Sequence, residues 1–91
     1  MSTRLERLSE RLQALEPEHL DVADDSHRHA GHAGAADGRG HFTVLLVSKR
    51  FTGLNTLRRH RLVYEVVGDL MTTDVHALSI QALAPGEAPS H

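Results

Sequence analysis

Three histidines crowd into nine residues of this chain: Ser26 to Gly34 reads SHRHAGHAG and carries His27, His29 and His32. Imidazoles spaced as His-x-His or His-x4-His can bind zinc, copper or nickel. A structural zinc site asks for four protein ligands, and the chain has eight histidines but no cysteine. The Gly/Ala-rich setting would also have to be ordered at an entropic cost. A metal-ligand cluster and a histidine-rich polar loop therefore both stay open at this point. His76 opens a later apolar run, where strict alternation makes it the first of a row continued by Leu78, Ile80 and Ala82. Spacing alone favours a core-edge histidine satisfied by a backbone carbonyl. His19, His41, His60 and His91 carry no chemical argument. No nucleophile–base pair, phosphate loop or spaced carboxylate pair stands out, so the residues point to a binding module and not to an enzyme.

A second feature is cationic. Residues 1–40 hold five Arg against eight Asp/Glu, whereas the five cations of residues 41–91 all fall between Lys49 and Arg61: Lys49, Arg50, Arg58, Arg59 and Arg61. That is a local basic patch on a weakly acidic chain, too small for general coating of nucleic acid. The three arginines fall near a helix start, where each opposes the helix dipole by about 0.3–1 kcal/mol. An anionic partner and a plain solvated helix face both account for them.

The elements that must position these residues follow from hydrophobic periodicity. Leu5, Leu8, Leu12 and Leu15 form one leucine face of an amphipathic helix. Ser2 or Thr3 can cap it, and Pro17 stops it. Leu20 and Val22 alternate with polar residues in a short, half-buried strand. Ser26 to Gly40 is then expected as a long surface loop. Residues 41–48, HFTVLLVS, are apolar on both faces, which predicts a central strand pairing antiparallel with the first. Phe51–Gly53 is a turn. Asn55 or Thr56 can cap a second long helix over Leu57 to Met71, with Val63, Val66, Val67 and Leu70 toward the core. Thr72 to Asp74 is a turn, VHALSIQAL is a third strand, and Pro85 onward is a polar tail. A strand that returns after a helix lies parallel to its neighbour. The expected fold is therefore mixed α/β (α+β): a three-stranded mixed sheet covered on one face by helices.

Ninety-one residues allow one domain with a small core. The absence of cysteine excludes disulfides and thiolate ligands from this chain. No apolar run approaches the roughly 20 residues that span a bilayer, and MSTRLERLSE lacks the apolar segment of a signal peptide. The expectation is a cytoplasmic protein that does not enter a membrane.

HFTVLLVSKRFTG, followed by LRRHRLVYEVVGDL and then VHALSIQAL, resembles the BolA family. The resemblance runs over about residues 4 to 84 and includes the leucines of the first helix and DDSHRH. It implies the class II KH-like αββααβ fold in a single domain over residues 1–84, with 85–91 as a C-terminal tail. It also implies a monothiol glutaredoxin as partner and a 2Fe–2S cluster shared across the interface. The partner side brings a cysteine and the thiol of glutathione. This side brings the histidine of the Val-His-Ala-Leu strand, here His76, and a His or Cys from the loop between the first two strands. His29 matches that loop position, with His27 and His32 flanking it in a loop longer than is usual for the family. Iron ligation needs neutral imidazole, so acid is expected to loosen such a cluster. The resemblance further implies a DNA-binding transcriptional regulator as an alternative function, with the turn and second long helix resembling a helix-turn-helix. Lys49, Arg50, Arg58, Arg59 and Arg61 are the residues for either anionic partner. No KH-type Gly-x-x-Gly loop is present, since Gly53 is followed by Leu, Asn and Thr. Alone, the chain is expected to be a monomer or weak homodimer.

Overall fold

A computed structural model describes residues 3–25 and 40–87 of the chain. The expected surface loop and its histidines His27, His29 and His32 lie outside the described residues, as does His91.

The first helix, α1 (Arg4–Leu12), starts where the sequence offers a cap. Thr3 Oγ1 accepts a hydrogen bond from the Glu6 amide (3.1 Å), and Glu6 Oε1 accepts one from the Thr3 amide (2.9 Å). This reciprocal pair satisfies two donors that a helix start otherwise leaves exposed. A 3-10 turn over Gln13–Leu15 extends it, and Glu16, at φ 51°, ends it just before Pro17. Leu8, Leu12 and Leu15 are buried, so the leucine stripe is the core face.

Strand β1 (His19–Asp24) pairs antiparallel with β2 (Gly40–Val47), which pairs parallel with β3 (Val75–Leu83). The order β1-β2-β3 makes β2 the central strand, as its two apolar faces predict. Phe42, Val44 and Leu46 are buried against α1 and against Val63, Val67 and Leu70 of the following helices. Alternation turns His41, Thr43, Leu45 and Val47 to the opposite sheet face. Ser48 follows β2 and is fully buried; its Oγ donates to the Leu15 carbonyl (2.5 Å) and accepts from the Arg50 amide (3.1 Å). A buried hydroxyl is tolerated here because both its donor and acceptor capacities are used.

A 3-10 turn (Lys49–Phe51) leads through Gly53, at φ 81°, to α2 (Thr56–Val67). Asn55 is the cap, its Oδ1 accepting from the Arg58 amide (2.9 Å). The helix expected to run to Met71 stops at Val67, and a separate α3 (Leu70–Thr73) takes in Thr72 and Thr73, expected in a turn. Gly68 is the reason: it adopts φ 56°, ψ −128°, a conformation closed to ordinary L residues. A Cβ there would also stand 3.2 Å from Arg11 Nη1. Arg11 uses the gap, donating to the Val67 carbonyl (2.9 Å) and pairing with Asp69 (2.9 Å), so a side chain from α1 caps α2.

The element order, with the crossover through α2 and α3 into the parallel strand, is the αββααβ arrangement implied by the resemblance. Among the described residues no helix is long and apolar enough to cross a membrane.

Candidate metal centre

The mouth of β3 is braced before it is functional. The Gly40 amide donates to the Asp74 carbonyl (2.9 Å), tying the start of β2 to the residue before β3. The Asp74 carboxylate accepts from Arg7 of α1, through Nε (3.0 Å) and Nη2, and from Thr73 Oγ1 (2.7 Å). The Thr73 hydroxyl and then the Arg7 guanidinium hold the Asp74 carboxyl below its ordinary range. Its contribution to stability is therefore present above the usual carboxylate value and lost as pH falls below it.

His76 is the next residue but one, and its placement differs from the alternating expectation. Gly40 pairs with Val75, but His41 pairs with Ala77, so His76 is an extra residue in the ladder. A bulge of this kind re-aims a side chain. Val75 is buried and Leu78, Ile80 and Ala82 keep to the core side, while His76 is exposed and its ring lies beside that of His41. His76 is thus on the open sheet face, and the core-edge histidine suggested by spacing is not what the fold contains. The ring centroids of His41 and His76 are 5.1 Å apart with a 51° interplanar angle. His41 is half-buried, and its Nε2 is buried.

The segment carrying His27, His29 and His32 is anchored at this same place. It leaves after Asp25, whose amide donates to the His41 carbonyl (2.8 Å) and whose carboxylate accepts from Thr43 Oγ1. It returns at Gly40, opposite Val75. His29, four residues beyond Asp25 in the sequence, lies outside the described residues. The other described histidines are elsewhere: His19 is exposed at the start of β1, and His60 is half-buried on α2. Among the described residues no group of three or more His, Cys, Asp or Glu is placed to hold a metal ion.

The basic segment divides in two. Arg59 is structural: its side chain is only 13% exposed, and it donates to the carbonyls of Leu54 (2.8 Å) and Ala82 (3.1 Å) and to both carboxylate oxygens of Glu87 (2.5 and 3.1 Å). Glu87 also accepts from the Ala84 amide (3.0 Å). Pro85 to Glu87, expected as the start of a polar tail, are thereby tied to α2. Arg50 pairs with Glu16 across an exposed surface (2.5 Å). Lys49, Arg58 and Arg61 are exposed, the last two lining a shallow cleft with Leu54, Leu62 and Glu65.

The Arg59 hydrogen bonds, with that of the Ala84 amide, lower the Glu87 carboxyl to about 2. Its folded value lies below the unfolded value of about 4.3, so its stabilisation is present above that value and lost as pH falls toward about 2. Urea unfolding of Glu87→Gln and the parent at about pH 6 and about pH 2 checks this. The variant is less stable at the higher pH, and the gap closes at the lower one.

The BolA-like protein family model matches residues 12–87. The chain belongs to the BolA family. Among BolA relatives, the Arabidopsis thaliana protein BOLA1, chloroplastic, is 46% identical over 94 residues, covering 99% of this chain and 59% of that protein. The DNA-binding transcriptional regulator BolA of Escherichia coli strain K12 is 45% identical over 76 residues, covering 82% of this chain and 70% of that one. The solved structure of BolA1 from Arabidopsis thaliana superposes with a TM-score of 0.81 at 41% identity, covering 98% of this chain and all of that one. The chain therefore spans about three fifths of the length of the curated Arabidopsis BolA relative, and shares its α+β fold with the solved BolA structure.

Proposed function

We propose that this BolA chain is an iron–sulfur adaptor. It docks a monothiol glutaredoxin and helps hold a 2Fe–2S cluster through His76 and His29, while the partner supplies a cysteine and the thiol of glutathione. The observation that carries this reading is the bulge at the mouth of β3. It turns His76 out of the core row and onto an exposed face, beside His41, whose strand begins at Gly40 opposite Val75. The described residues offer imidazole there and no thiol, a donor set that suits one half of a mixed site and needs another molecule to complete it. Imidazole on one iron with thiolates on the other raises the reduction potential above that of all-thiolate centres. The role is one of holding and handing over, without catalysis by this chain. The proposed setting is the cytoplasm, where the partner's thiols stay reduced.

The test mixes the apoprotein with cluster-loaded glutaredoxin and records visible circular dichroism. The adaptor reading expects the homodimer spectrum to convert to a new one that saturates at one BolA chain per glutaredoxin. A spectrum that stays that of the homodimer contradicts it.

A second reading, DNA binding through α2 and the Phe51–Asn55 turn, is favoured by the similarity to the DNA-binding transcriptional regulator of Escherichia coli and by exposed Arg58 and Arg61. The engagement of Arg59 by Glu87 and of Arg50 by Glu16 leaves a small cationic surface for it. Duplex binding that persists at about 0.15 M salt and is lost in the Arg58→Ala, Arg61→Ala double variant supports this reading; absence of binding at that salt removes it.

A further inference from the structure

We propose that His41 is a positioning residue for His76: its half-buried ring packs against the exposed imidazole and sets the direction in which that imidazole is presented. The inference rests on the reading of His76 as a cluster ligand. It concerns a residue that neither spacing nor family resemblance singles out.

The two rings sit on strands with different places in the sheet. His41 belongs to β2, the only described strand hydrogen-bonded on both sides, and its carbonyl accepts from the Asp25 amide. His76 belongs to β3, at the edge of the sheet, and occupies the extra position of a bulge. Side chains settle in discrete χ1 wells, and a ligand has to be held in the one that points at the metal. The separation of 5.1 Å and the tilt of 51° lie within the range in which aromatic rings attract each other. His41 is thus a wall on the central strand, and the exposed ring of His76 packs against it. Burial of His41 Nε2 keeps that atom from a docking partner, which suits support and not ligation. The same strand begins at Gly40, where the histidine-bearing segment returns.

Three variants, His41→Ala, His41→Phe and His76→Ala, test this, with far-ultraviolet dichroism to confirm folding. Two readouts are needed. One is the Hα–Hβ couplings of His76 by NMR in the apoprotein, which report its χ1 distribution without any cluster. The other is the dissociation of the cluster-bridged complex followed by visible dichroism. His41→Ala is expected to average the His76 couplings and to weaken the complex about tenfold, the lower end of the range for losing an orienting neighbour of a metal ligand. His41→Phe, which keeps a planar ring on the same strand, is expected to retain the couplings and most of the affinity. Unchanged couplings in His41→Ala overturn the proposal, as does a folded His41→Phe that behaves like the alanine variant. If His76→Ala leaves the complex spectrum intact, the adaptor reading fails, and the NMR couplings still decide whether His41 orients its neighbour.

Discussion

Replacing His76 with alanine is expected to abolish the dichroism signature of the glutaredoxin complex while leaving the fold intact. The separation of the two effects follows from where the side chain sits. His76 is exposed, outside the buried cluster, on a bulge whose backbone is held by neighbours: Gly40 bonds to Asp74, and Asp74 is locked by Arg7 and Thr73. Truncating such a side chain changes stability by no more than about 0.5 kcal/mol. It also removes the only ligand that the adaptor account draws from a regular element of the fold. His29→Ala is expected to do less, because His27 and His32 lie two and three residues away in sequence and can substitute as imidazole donors. Thermal melts beside dichroism titrations of the two variants check the pair of outcomes. A His76 variant that still forms the complex, or one that unfolds, goes against the account.

The largest effect on stability is expected at Phe51. Its ring is fully buried at the end of the Lys49–Phe51 turn, within the cluster that joins Leu8, Leu12 and Leu15 of the α1 end to Phe42, Val44 and Leu46 of β2. Removing a buried phenylalanine to alanine costs about 3–5 kcal/mol, a large part of the roughly 5–15 kcal/mol that holds a domain together. With aliphatic residues making up most of this core, no second aromatic ring is placed to fill the space except Phe42. The urea midpoint of Phe51→Ala is expected to fall by on the order of 2–3 M, taking a slope of about 1.5 kcal/mol per M. Leu57→Ala is the matched control: Leu57 is 59% exposed, and its loss should move the midpoint little. A Phe51 variant as stable as the Leu57 variant would contradict the burial of the turn.

Much of this architecture was legible from side-chain periodicity. Leucines at 5, 8, 12 and 15 can share a face only on a helix, and a strand that is apolar on both faces has to be central. What could not be read was whatever depends on a local break in the pattern or on contacts distant in sequence. Counting alternation through VHALSIQAL puts His76 with Leu78, because a bulge adds a residue without leaving a mark on composition. Gly68 did leave a mark, and an interior glycine followed by Asp is a reason to end a helix; the apolar spacing of Val67 and Leu70 concealed the break. Arg59 looked equivalent to Arg58 and Arg61 until Glu87 folded back onto it from 28 residues away. The approach of His41 to His76 depends on a parallel pairing that no local spacing encodes. His29 as a ligand comes from the family resemblance alone, which is why its test is separate from that of His76.

The most direct test of the central claim asks whether nitrogen from this chain is bound to iron. The BolA chain is labelled with 15N-histidine, combined with unlabelled cluster-loaded glutaredoxin, reduced, and examined by pulsed electron paramagnetic resonance. The account predicts strong 15N couplings from two directly bound imidazoles, and none when His76 is replaced, because the complex then does not form. A reduced complex whose cluster shows no strong 15N coupling to the labelled chain would contradict it.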